Sequence, residues 1–89
     1  MSDWVADIRV LLKPSVNDPQ GLSIRNALRT LGFDGVEDVR AGKLIQLRVS
    51  AASREAAEQS IDAMCAQLLA NPVIETYVFT LDEAPAPVL

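Results

Sequence analysis

The chain has 89 residues and a mass of 9.6 kDa, which fits a single domain; with 49% hydrophobic and 22% charged residues it is globular rather than disordered. A net charge of −4 and a pI near 4.5, with basic residues scattered from Arg9 to Arg54, lack the electrostatic footprint of a nucleic-acid binder. Cys65 stands alone, which excludes an intrachain disulfide and suits a reducing, cytoplasmic setting, and no apolar run approaches the roughly 20 residues of a membrane span.

The start, "MSDWVADIRV", carries acids and no apolar signal-peptide core. Residues 4–13, "WVADIRVLLK", then alternate. Ala6, Ile8, Val10 and Leu12 share one face; Asp7, Arg9 and Lys13 share the other with Val5 and Leu11. Period two predicts a half-buried strand, and Pro14 stops it.

The stretch "SVNDPQGLSIRNALRTLGF" (15–33) predicts the first helix. Asp18 is a good N-cap and Pro19 fits the first helical position. Ile24, Ala27, Leu28 and Leu31 fall on one face, with Arg25, Asn26 and Arg29 on the wetter side. Gly32 closes the helix as a natural C′ residue.

Residues 36–49, "VEDVRAGKLIQLRV", hold two short strand signals around Ala41-Gly42-Lys43. They fit a hairpin or one long bent strand with a glycine bulge. A second helix follows over 53–71, capped by Ser53 and ended by Asn71-Pro72, with Ala57, Ile61, Met64, Cys65 and Leu68 as its buried stripe. The last strand, "VIETYVFTL" (73–81), is apolar on both faces: Ile74 and Val78 on one; Tyr77, Phe79 and Leu81 on the other. A strand covered on one side needs only one such face, so a second copy of the chain is the simplest cover.

The order β-α-β-(β)-α-β predicts an α+β fold. It is a two-layer sandwich with both helices on one face of an antiparallel sheet, the split-βαβ, ferredoxin-like order. Residues 1–82 make up the domain, and the proline-spaced end, 83–89, reads as a flexible tail.

Chemistry is sparse. With no histidine, the commonest general base and metal ligand is missing, and no Ser-His or Cys-His pair can be assembled within the chain. Cys65 reads as a small buried hydrophobe. Asp34, Glu37 and Asp38 form the densest acidic group, without EF-hand spacing. Gly42-Lys43 resembles the end of a P-loop, yet Glu37 and Leu44 stand where that motif needs Gly and Ser or Thr. An RNA-recognition sheet would stack bases on central-strand aromatics, and "DIRVLL" and "LIQLRV" contain none. Trp4, Tyr77 and Phe79 read as packing or interface residues. Catalytic, cofactor-binding and metal-binding residues are therefore all absent from this reading, which favours an interaction subunit or a small-ligand regulatory domain over an independent enzyme.

Segment order and wording resemble the PurS family, the small subunits of phosphoribosylformylglycinamidine synthase. The pieces that carry the resemblance are "VNDPQGLSIRNALRTLGF" (16–33), "VEDVRAGKLIQL" (36–47) and "CAQLLANPVIETY" (65–77), which with the opening strand cover about residues 5–81. The resemblance implies a non-catalytic subunit of an ATP-dependent glutamine amidotransferase ligase in purine biosynthesis. It implies a cytoplasmic homodimer or higher assembly that bridges a glutaminase subunit, PurQ, and a synthetase subunit, PurL, and supports ammonia transfer. It also implies that ATP and magnesium belong to the synthetase subunit and that this chain binds no cofactor. The alternative is a small-molecule-sensing regulatory domain of the same architecture.

Interface candidates are the motif residues at polar positions, Asp18, Gln20, Gly21, Arg40, Gly42 and Lys43, together with Tyr77 and Phe79 on the last strand. Asp18 and Pro19 are explained as cap and first-turn proline. Gly21 is less easily explained, because glycine in a helix costs about 1 kcal/mol relative to alanine. It permits close approach by another backbone or side chain, so a packing subunit is expected there.

Overall fold

Alternation at the start of the chain becomes strand β1, Ser2–Leu12, in a computed structural model that describes residues 2–84. After β1 come helix α1 (Pro19–Thr30), strand β2 (Gly42–Ala51), helix α2 (Arg54–Met64) with a π-helical turn at Cys65–Leu69, and strand β3 (Glu75–Glu83). The strands form one antiparallel sheet ordered β2-β1-β3. The α+β class and the antiparallel sheet are those read from the sequence.

Register decides which residues face the core. Trp4, Ala6, Ile8 and Val10 line up with Val49, Leu47, Ile45 and Lys43 on β2, and with Glu83, Leu81, Phe79 and Tyr77 on β3. That face takes α2, whose Ala57 and Ile61 are fully buried with Ile8, Ala6 and the Cys65 thiol of the π turn. Burying such side chains contributes roughly 1.5–3 kcal/mol for each of the larger ones. Arg54 lies over the Trp4 ring, 5.2 Å from its centroid, and closes this end of the core. The opposite sheet face is open. It holds Asp3, Arg48 and Ser50 in one hydrogen-bonded group, Gln46 donating to Asp7, and the exposed Leu11, Leu44 and Val78.

The π turn changes the second helix's register. Ala70 N–H donates to the Cys65 carbonyl, one residue beyond the α pattern, so a residue is added to that turn. Leu68, predicted for the buried stripe, therefore turns outward and is 82% exposed, while Leu69 packs against the core. Met64 sits at the margin, 36% exposed.

Helix α1 is placed differently from the sequence reading. It stands off the sheet, and Gly21 is its only buried residue. β1 ends beside the start of β2, with Leu11 opposite Gly42, so residues 13–41 leave and re-enter the sheet at one end as an arm. The Cα radius of gyration is 16.7 Å, against about 12 Å for a compact chain of this length. The stripe on α1 is real, but the chain does not cover it: Ile24 and Leu31 are exposed, as is Phe33 beyond the helix.

Neither option for residues 36–49 holds. Residues 36–41 form no strand, and Gly42 opens β2 without a bulge. At the other end, Glu83 closes β3 and Ala84 is buried, its N–H donating to Asp3 O at 2.8 Å. The first two residues of the predicted tail thus belong to the fold, and 85–89 lie outside the described residues. Among the described residues no helix is long and apolar enough to cross a membrane.

Candidate subunit interface

Two limbs make the arm, and polar bonds to backbone hold them together. Asp18 caps α1 by accepting from Gly21 N–H at 3.0 Å, and its other oxygen accepts from Ala41 N–H at 2.9 Å. These two N–H groups, Gly21 first, hold the Asp18 carboxyl below the usual carboxylate range. Arg40 donates to the Pro14 carbonyl at 2.6 Å and to the Val16 carbonyl at 3.1 Å. Further out, Arg25 and Arg29 donate to the carbonyls of Glu37 and Val36 at 2.9 and 3.0 Å. Where the limbs part, Ser15, Asn17, Leu22, Arg25, Asp38 and Arg40 border a cleft of about 340 Å³.

Gly21 is where the limbs touch. A Cβ built there would lie 2.2 Å from the Val39 carbonyl oxygen, so no larger residue fits without movement. The close approach inferred from this glycine is made by the chain's own backbone. The far end of α1 is equally well formed. Gly32 adopts φ +101°, and the N–H groups of Gly32 and Phe33 donate to the Arg29 and Leu28 carbonyls, a Schellman closure.

The other sequence candidates lie on either side of the arm's root. Gln20 is exposed on the first turn of α1. Gly42 faces the Val10 carbonyl, which an added Cβ would approach to 2.2 Å. Lys43 lies 3.8 Å from Glu75, joining the two outer strands across β1. Tyr77 and Phe79 point to the α2 face, where the Tyr77 hydroxyl donates to Asp62 at 2.5 Å and Phe79 is half-buried against the core. The Asp62 acceptor holds the Tyr77 phenol above its ordinary range. Burial raises the Cys65 thiol, which keeps it protonated and unreactive. Among the described residues no group of acids and cysteine converges to hold a metal, and Asp38 accepts from Val39 N–H instead.

Sequence reasoning marked Val78 as a face in need of an outside cover but missed the other exposed apolar residues. Leu31 is 73% exposed, Leu44 67%, and Leu68, Val73 and Val78 are also solvent-facing. Their signal was present as apolar stripes, but a stripe alone does not show whether its cover lies within the chain.

Small size, an arm held by polar bonds to its own backbone, and apolar side chains left facing solvent define the class: a small α+β interaction subunit. Comparison with known proteins gives the family. The profile described as "PurS: Phosphoribosylformylglycinamidine (FGAM) synthase" matches residues 5–83. The phosphoribosylformylglycinamidine synthase subunit PurS of Synechocystis sp. is 50% identical over 83% of this chain and 74% of its own length. The Thermus thermophilus PurS structure is 38% identical, with a TM-score of 0.81 over 93% of this chain and 99% of that one. A chain of the PurLQS structure from Thermotoga maritima is 34% identical, with a TM-score of 0.81 over 94% of this chain and all of that one. The chain belongs to the PurS family.

Proposed function

We propose that this chain is the PurS subunit of a phosphoribosylformylglycinamidine synthase complex, a non-catalytic piece that joins a PurQ-type glutaminase to a PurL-type synthetase. Family membership over residues 5–83, together with the likeness to a chain of a PurLQS structure, is the observation that carries this reading. Ammonia released from glutamine passes to the synthetase within the assembly, where ATP and magnesium are used; this chain holds neither. Its site of action is the cytoplasm. The relatives above lend the sensing-domain alternative no support.

Self-association through the arm fits the same role. The stripe of Ile24, Leu28 and Leu31 lacks a partner on its own sheet, while Ile45, Leu47 and Phe79 on the α2 face are only half covered. A second copy supplies both covers at once, since a symmetric pair offers each helix the other's sheet.

Reconstitution tests the function. The chain is mixed with its partner glutaminase and synthetase, and glutamine-dependent formation of formylglycinamidine ribonucleotide is followed. Activity should require all three proteins, while ammonia-dependent activity of the synthetase should not require the glutaminase. Full glutamine-dependent activity without this chain refutes the proposal.

A further inference from the structure

Of the four glycines, three answer to the fold and one does not. Gly21 and Gly42 lie against the Val39 and Val10 carbonyls, and Gly32 takes a positive φ. Gly35 does not take a positive φ, and a Cβ built on it would meet nothing within 4 Å. It follows Asp34 at the tip of the arm, in the only Asp-Gly or Asn-Gly pair of the chain. Folding makes no demand for glycine there. The missing side chain instead leaves the Gly35 amide nitrogen unshielded beside a carboxyl.

A tight turn presents both groups to solvent. Val36 N–H donates to Phe33 O at 3.2 Å, which sets Asp34 and Gly35 at the two central positions, both exposed. Neither the Gly35 N–H nor the Asp34 carboxylate has a hydrogen-bond or ionic partner among the described residues. The other aspartates are held. Asp3, Asp7 and Asp82 lie in strands, and Asp62 lies in α2. Asp18 uses both oxygens on N–H groups and precedes a proline, whose nitrogen carries no hydrogen. Asp38 accepts from its neighbour's N–H, but that neighbour is Val39, whose branched side chain crowds the nitrogen.

We infer that Asp34-Gly35 is a modification site, at which the main chain isomerises to isoaspartate. The Gly35 nitrogen attacks Asp34 Cγ; the N–Cγ bond forms and a Cγ–O bond breaks. The amide proton and the carboxyl hydroxyl leave as water, and a succinimide ring remains. Water then adds at the Asp34 main-chain carbonyl carbon, and the bond from that carbon to nitrogen breaks. The chain now runs through Cγ, the former main-chain carbonyl is a free carboxylate, and the mass is unchanged. The extra main-chain atom falls between Phe33 and Val36. It displaces the Val36 carbonyl from the Arg29 Nε–H that it accepts at 3.0 Å, so the outermost clasp between the two limbs is lost.

Ageing the full chain at body temperature in neutral buffer tests this. Trypsin releases residues 30–40 as one peptide that carries both Asp34 and Asp38. A second peak of the same mass should grow, and electron-transfer fragmentation should place isoaspartate at 34 and not at 38. The rate should lie within an order of magnitude of that in a free synthetic peptide of residues 30–40. Gly35→Ala should suppress the peak with the circular dichroism unchanged, since the new methyl meets nothing. Asp34→Asn should reach the same succinimide faster, with loss of ammonia in place of water. In the aged chain the Arg29 Nε–H resonance should move while the sheet amides stay. An Asp34 that survives in the folded chain while the free peptide converts overturns the inference, because the turn would then hold the nitrogen out of reach. Equal isomerisation at 34 and 38, or a Gly35→Ala chain that ages as fast, does the same. An unmoved Arg29 resonance in the isomerised chain overturns the loss of the clasp.

Discussion

The sheet with α2 and the arm of residues 13–41 both carry apolar residues, the arm fewer of them, and use them in opposite ways. In the sheet body, Ile8, Val10, Ile61 and Cys65 are all but fully buried, and its polar side chains stay at the surface. In the arm only Gly21 of the helix is buried, Leu22 and Leu31 face water, and cohesion comes from Asp18 and three arginines bonding to main chain. The body is therefore stabilised by its own hydrophobic burial. The arm has a shape without a core, which is what an element needs if another chain is to cover it.

The strongest way to break this contrast is in the body. Ile61→Ala removes a fully buried side chain from between α2 and the sheet and should cost about 2–5 kcal/mol by denaturant unfolding. A loss below that range would mean that α2 is held by something other than this packing.

Gly21→Ala comes next. In an exposed helix this change is favourable by about 1 kcal/mol. Here the new methyl meets the Val39 carbonyl, and forced overpacking should turn the gain into a loss of about 1–3 kcal/mol. The damage should be local. Amide exchange should quicken in 14–41 while the β1–β2 and β1–β3 ladders stay protected. Stabilisation by Gly21→Ala would show that the two limbs are not in contact.

These two sites also mark how far the sequence could be read. Ile61 lay in a stripe whose cover was adjacent in the chain, and Asp18, Pro19, Gly32 and Ser53 announced helix ends through local bonding alone, so all of these were legible. The π turn was not, because one extra residue at Cys65–Leu69 has no composition of its own; it rotated Leu68 out of the core. The place of α1 was hidden for a different reason. Its stripe predicted burial correctly as a need, but periodicity carries no information on which surface meets that need. Gly21 and Arg40 were singled out for chemistry that local structure did not explain, and their partners, Val39 and the Pro14 and Val16 carbonyls, were distant in sequence from one or both.

Acid should loosen the arm before it reaches the hydrophobic body. The folded Asp18 carboxyl lies below its unfolded value, so its contribution is complete above about pH 4–5 and is lost as pH falls through the lowered folded value. The Gly21 and Ala41 amide resonances should follow that titration, and Asp18→Asn should abolish it. Asp3, held low by Ser50 and then Arg48, adds a parallel loss at the β1–β2 end, so Asp18→Asn removes only part of the acid sensitivity. Titration of the two arm amides at or above the ordinary carboxylate range would contradict the cap geometry.

The smallest change in the folded chain should come from Leu31→Ser. Leu31 is 73% exposed and, although it is the C-cap residue of α1, its capping bonds are made by backbone that serine keeps, so the change stays within about 0.5 kcal/mol. Unfolding measured at concentrations where the chain is dissociated should therefore barely register it. Sedimentation at higher concentration should register it clearly, because the same side chain is the most exposed member of the stripe assigned to a second copy. The split between the two measurements is what separates a covered surface from a merely exposed one. If Leu31→Ser leaves association as unchanged as stability, the arm's apolar face is covered by a different partner, and the glutaminase and synthetase subunits become the next chains to titrate against it.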